Sequence, residues 1–203
     1  MVVSHAHADQ EFWEIDRDLA KELNVDVATL EEKLGVDTSA ESNWYVRMKK
    51  ECDSRGTATG LCSLRGRTLR ELKETADQGS PFVQNDYAYN LSLRNDSAEA
   101  LKESFQYALK AAEAGLPHAQ VTVGWRLLHG IGVERDAKAA FDWNLKGARQ
   151  GHPEGANNVA FQYQYGIGVT QSRVLAENWY SYAAIKKSLV AWGSLLQMRI
   201  DEK

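Results

Sequence analysis

Small and apolar residues return along this chain at a fixed interval of 36. Gly79, Gly115 and Gly151 share one column, and Pro81, Pro117 and Pro153 another. Ala88, Gly124 and Ala160 come next, then Phe105 with Phe141, then Tyr107, Trp143 and Trp179, then Ala112, Ala148 and Ala184. A repeat of this length marks a supersecondary unit that cannot bury its apolar face alone, so successive copies must stack. The pattern predicts units at 79–114, 115–150 and 151–186. One further step back sets Thr59-Gly60-Leu61 against Ile131-Gly132-Val133 and gives a divergent unit at about 43–78.

Within a unit the punctuation predicts helix, turn, helix. Each begins Gly-x-Pro, runs for about a dozen helical residues, reverses at Gly-x-Gly, and resumes at Asp136 or Ser172. Proline suits the first position of a helix, where its missing N–H is not needed. The Asp136 and Ser172 side-chain oxygens suit the free amides of the second helix. Gly130 and Gly132, like Gly166 and Gly168, permit the positive φ of a tight reversal, while Ile131, Ile167, Val133 and Val169 can plug the turn into the core. The unit at 79–114 has Arg94-Asn95-Asp96-Ser97 instead, which can still turn and cap. The column Ala88, Gly124, Ala160, with Cys52 in register, predicts a close crossing of paired helices. Tyr107, Trp143 and Trp179 with the alanines at 112, 148 and 184 supply packing between units. Ahead of the repeats, Asp9 to Leu23 and Val27 to Leu34 read as two short amphipathic helices within an N-terminal cap, 1–42. A C-terminal capping helix is expected over 187–203. With only three prolines and abundant helix formers, the chain is expected to be all-α.

The order A-x-x-x-(L/V)-(G/A)-x-x-(Y/L)-x-x-G-x-G-V, then a capping residue, A-x-x-W and a closing (A/G)-A-x-x-G, resembles the Sel-1-like repeat. The match is close from Ala119 to Gly151 and from Gly155 to Ala184, and looser over 79–114. The resemblance implies a right-handed α/α solenoid, related to tetratricopeptide repeats, with stacked helix-turn-helix units. It also implies a non-catalytic scaffold that binds one protein partner through a concave surface, as a bacterial-type adaptor, a regulator or a toxin-neutralising immunity protein. First-helix positions left over by the packing columns are Tyr89, Asn90, Trp125, Arg126, His129, Phe161, Gln162, Gln164 and Tyr165, the expected partner-binding residues. Aromatic side chains and arginine are the types most enriched at binding hot spots.

Other chemistry finds little support. A net charge of -4 gives no broad footprint for nucleic acid. The run Leu19-Ala20-x-x-Leu23-x-Val25-x-x-x-Thr29-Leu30 echoes a helix-turn-helix and supplies an alternative, a transcription-related regulator. Its recognition helix would carry Glu31 and Glu32 with no adjacent basic run. Gly-Ile-Gly-Val superficially suggests a nucleotide-binding loop, but position 135 is Arg where a third glycine is needed, and the flanks are helical. Cys52 and Cys62 match no paired metal-ligand spacing and are expected as packing residues on either side of a turn at 55–60, with a disulfide between them as the alternative. His5 and His7 form an isolated His-x-His with no third ligand. The chain has no HExxH and no Gly-x-Ser-x-Gly, so no catalytic residue and no cofactor is expected. The first residues lack a signal-peptide pattern, and no run approaches the roughly 18 apolar residues of a membrane helix, which points to a cytoplasmic protein.

Overall fold

In a computed structural model, residues 15–38, 68–186 and 188–200 are described. Among them all regular structure is helical: α1 (Arg17–Glu22), α2 (Val27–Leu34), α3 (Leu69–Ala76), α4 (Pro81–Arg94), α5 (Ala98–Glu113), α6 (Pro117–His129), α7 (Ala137–Arg149), α8 (Pro153–Tyr165), α9 (Arg173–Ile185) and α10 (Leu189–Ile200). His5, His7, Cys52, Cys62 and most of the divergent unit lie outside the described residues. The chain divides into two compact units. One runs up to Trp143, and the other joins the segment ending at Thr38 to everything from Asn144 onward.

In the unit that ends at Trp143, helices begin and stop where side chains allow. Thr68 and Glu71 form a reciprocal capping box at the start of α3. Pro81 and Pro117 open α4 and α6. The glycine of each Gly-x-Pro also closes the helix before it. Gly115 adopts φ 90°, its N–H donates to Ala112 O at 3.0 Å, and the next N–H, of Leu116, donates to Ala111 O at 3.1 Å. This left-handed C-terminal motif satisfies carbonyls that a helix end leaves unpaired. The Arg94–Ser97 turn caps without glycine: Ala100 N–H donates to Ser97 Oγ at 3.2 Å and Ser97 N–H to Asn95 Oδ1 at 3.0 Å. The paired helices α4 and α5 cross at Ala88, whose carbonyl accepts from Ser104 Oγ at 2.6 Å. The core joins Leu72, Val83, Tyr87, Phe105, Ala108, Ala112, Val123, Leu127 and Ala140, with Trp143 packed at its edge. Consecutive repeats are tied by a polar contact the columns did not single out. Gln84 Nε2 donates to Ala76 O at 3.3 Å, and one period later Gln120 Nε2 donates to Ala112 O at 3.2 Å.

In the other unit α9 is the centre. Ala176, Trp179, Tyr180 and every residue from Ser181 to Ile185 are buried, and α8, α10, α1 and α2 all pack on it. Ser172 caps it through Leu175 N–H at 3.3 Å. The N-terminal helices are fastened by backbone bonds from Asp16 N–H to Ile185 O and from Asp37 N–H to Arg149 O, both 2.7 Å. An N-terminal cap would by chain order be sought on the first repeat. The described part of it, α1 and α2, covers the last one, burying Ala20, Leu23, Leu30 and Leu34.

Candidate partner-binding face

The turns have the expected positive φ. Gly130, Gly132, Gly166 and Gly168 all have φ between 67° and 72°. Asp136 caps α7 through Ala139 N–H at 2.9 Å. These turns set where the first helices end and so fix the residues one turn before them.

A stripe at i, i+4 remains uncovered on the first helix of each repeat. On α6, Trp125 is 46% exposed and its ring lies 4.5 Å from that of His129, whose Nδ1 bonds the Trp125 carbonyl at 2.8 Å. On α8, Phe161 is 42% exposed with Tyr165 beside it at 4.7 Å. On α4 the same two places hold Tyr89, 59% exposed, and Leu93, also exposed. Five of the nine expected residues are therefore presented to solvent: Tyr89, Trp125, His129, Phe161 and Tyr165. Leu93 escaped sequence reasoning, although it stands one period before His129 and two before Tyr165.

The other four are placed differently. Asn90 is half-buried and donates from Nδ2 to Asp86 O at 2.9 Å. Gln164 is half-buried, its Oε1 accepting from the Tyr180 hydroxyl at 2.8 Å. Gln162 and Arg126 are buried, at 0% and 5% exposure, which corrects their expected place on the surface. The cause is helical rotation: position 126 follows Val123 by three and Thr122 by four, so it lies at the seam between the core stripe and the exposed one. Gln162 is fully engaged. Its Oε1 accepts from Asn144 Nδ2 at 2.9 Å, its Nε2 donates to Ile167 O at 3.4 Å, and Asn158 Nδ2 donates to Asn144 Oδ1 at 3.4 Å. Arg126 differs, since its Nη1 is buried with no hydrogen-bond acceptor and burial pulls its pKa below the ordinary arginine value. On α4, burial pushes the Asp86 carboxyl up to about 6. Among the described residues no group of three His, Cys, Asp or Glu is arranged to hold a metal, and no helix is long and apolar enough to cross a membrane.

Paired helices repeating at 36 residues, with Gly-x-Gly turns and a capping residue, define an α/α repeat protein of the solenoid class. A family model for the Sel1 repeat matches residues 84–116, 117–152 and 153–188, more than half the chain. The chain belongs to the Sel1 repeat family, a non-catalytic scaffold type that generally mediates protein–protein interaction. The solved structure of a Sel1 repeat protein from Oxalobacter formigenes is 32% identical and covers 64% of this chain and 97% of that one, with a TM-score of 0.57. A protective antigen of uropathogenic Escherichia coli strains that displays an SLR fold is 24% identical, over 66% of this chain and 36% of that one, with a TM-score of 0.48. Cysteine-rich protein B of Helicobacter pylori is 20% identical over 64% and 98%, also at 0.48. A search of curated proteins gave no significant match.

Proposed function

We propose that this protein is a non-catalytic binding module that grips one protein partner through the exposed first-helix stripes, and so works as an adaptor, a regulator or a neutralising immunity protein. The observation that carries the reading is the recurrence, at the same two places of successive first helices, of exposed Tyr89 and Leu93, Trp125 and His129, and Phe161 and Tyr165. Packing does not require these side chains to be large, because they are not in the core. In the Trp125–His129 and Phe161–Tyr165 pairs the rings lie against each other and present a broad apolar area, the property that makes aromatic residues binding anchors.

A DNA-binding role for the N-terminal helices gains no support from their placement. The apolar side of α2 is spent on α9 through Leu30 and Leu34, and its exposed side includes Glu32, which repels phosphate.

Proximity crosslinking in the source cell followed by mass spectrometry identifies the partner. Trp125→Ala and Phe161→Ala are then each expected to weaken the purified complex by at least tenfold, about 1.4 kcal/mol, with unchanged helical content. If both variants bind like the unaltered chain, the stripes are not the interface.

A further inference from the structure

We propose that Arg126 receives an aspartate or glutamate side chain from the partner, so that the face of α4 and α6 selects an acidic residue set beside an aromatic or aliphatic one. The inference rests on that face being the partner-binding one. Its foundation is a buried charge left incomplete. A guanidinium carries five N–H donors and a fixed positive charge, and burial without an acceptor is among the costliest arrangements a side chain can adopt. Arg126 is more than nine-tenths buried, and its Nη1 has no acceptor.

The next repeat shows how the same slot is settled when it serves packing alone. There Gln162 is neutral, and Asn144 answers its amide. One period earlier the corresponding residues are Arg126 and Ala108. The slot in α6 thus holds a cation where that in α8 holds a neutral amide, and Ala108 stands in the place of the pairing asparagine. Among the described residues no carboxylate pairs with Arg126. Asp86 is raised by burial alone, which is not the behaviour of an acid held ionised by a nearby arginine.

Access comes from the register. Arg126 stands three residues after buried Val123 and three before exposed His129, at the seam between core and surface, and an arginine stem is long enough to carry its head the short distance to the rim. A partner carboxylate arriving there could be taken by the guanidinium fork in two parallel bonds, the strongest pairing an arginine makes. No lysine or second arginine stands three or four positions from it on α6, so one positive charge is there to be balanced, which fits a carboxylate rather than a phosphate dianion. Exposed Trp125, next to it in the chain, offers an apolar surface to the residue beside that carboxylate.

The test uses the full chain as bait for a phage-displayed library of random dodecapeptides, with the selected sequences then synthesised with amidated C-termini. Enriched peptides are expected to carry Asp or Glu next to an aromatic or leucine. Arg126→Gln should weaken their binding by tenfold or more. Changing the peptide acid to its amide should cost about as much, and the two changes together little more than either. The double variant Ala108→Asn, Arg126→Gln rebuilds the amide pair of the following repeat; it should fold at least as stably as the unaltered chain and still fail to bind acidic peptides. If peptides bind with no acidic preference and are lost on Trp125→Ala but not on Arg126→Gln, the carboxylate inference is overturned while the binding face stands. A requirement for a free C-terminal carboxylate also overturns it. If nothing is enriched, or if binding ignores both Trp125 and Arg126, both readings fall.

Discussion

Gly130 and Gly132, on either side of Ile131 in the turn after α6, do different physical jobs. Both have positive φ, near 72° and 70°. A Cβ on Gly130 would meet its nearest neighbours at 3.7 Å, ordinary contact, so Gly130→Ala should cost only the backbone strain, roughly 1–2 kcal/mol. A Cβ on Gly132 would lie 2.1 Å from the carbonyl oxygen of Leu101 on α5, and backbone cannot step aside as a flexible side chain can. Gly132→Ala is therefore expected to destabilise the chain at least twice as much, read as the shift in urea midpoint at constant slope. Equal losses would mean that the turn does not press on α5. The sequence makes both glycines legible as a tight turn, since the demand for positive φ is local. It cannot distinguish them, because the second demand is a tertiary approach. The same limit explains Arg126 and Gln162. Neither belongs to a packing column of the repeat, but whether a seam position faces in or out depends on the neighbouring helix. The flanking Val123 and Leu127 were the available hint that position 126 leans inward.

At the scale of elements, helix ends were the most legible features, because Pro at the first turn, Gly after the last and an oxygen-bearing cap each act within a few residues. The polar ties between elements were not, as with Gln84 and Gln120 reaching back to the carbonyl ends of the preceding helices. Helix α4 offers a measurable case through Asp86. Its carboxyl titrates near pH 6 in the folded chain, against about 3.8 for an ordinary aspartate. Between those values the folded state holds the proton that the unfolded state has released. Stability therefore falls as pH rises from about 4 to about 6 and remains lower above. Asp86→Asn should match the unaltered chain below about pH 4 and exceed it at pH 8 by up to about 3 kcal/mol, the equivalent of the shift. Chemical denaturation at both pH values checks this. A stability difference independent of pH would show that Asp86 is not held neutral by burial.

For the molecule as a whole, the repeat period predicted the paired helices, but not that one of its compact units would be assembled from distant parts of the sequence. Asp16 bonds Ile185 and Asp37 bonds Arg149, contacts that no local pattern announces. The logic is burial. Tyr182, Ile185 and the stem of Lys186 need cover on the flank where α1 and α2 lie, and Leu30 and Leu34 supply it. Burial there pushes the Glu31 carboxyl up and the Lys186 amine down, each toward its neutral form, while their mutual attraction opposes both shifts. Such a half-buried charge pair adds little stability of its own, so most of the docking energy must come from the leucines. Leu34→Ala should therefore cost about 2–4 kcal/mol in the unit that contains α9, whereas Glu31→Gln should cost under about 1 kcal/mol. Hydrogen exchange locates the effect: Leu34→Ala should speed exchange in α9 and leave the protection of α4 and α5 unchanged. If the loss spreads evenly over all helices, the two units unfold as one. If Glu31→Gln is the more damaging change, the N-terminal helices are held by charge and not by their apolar face.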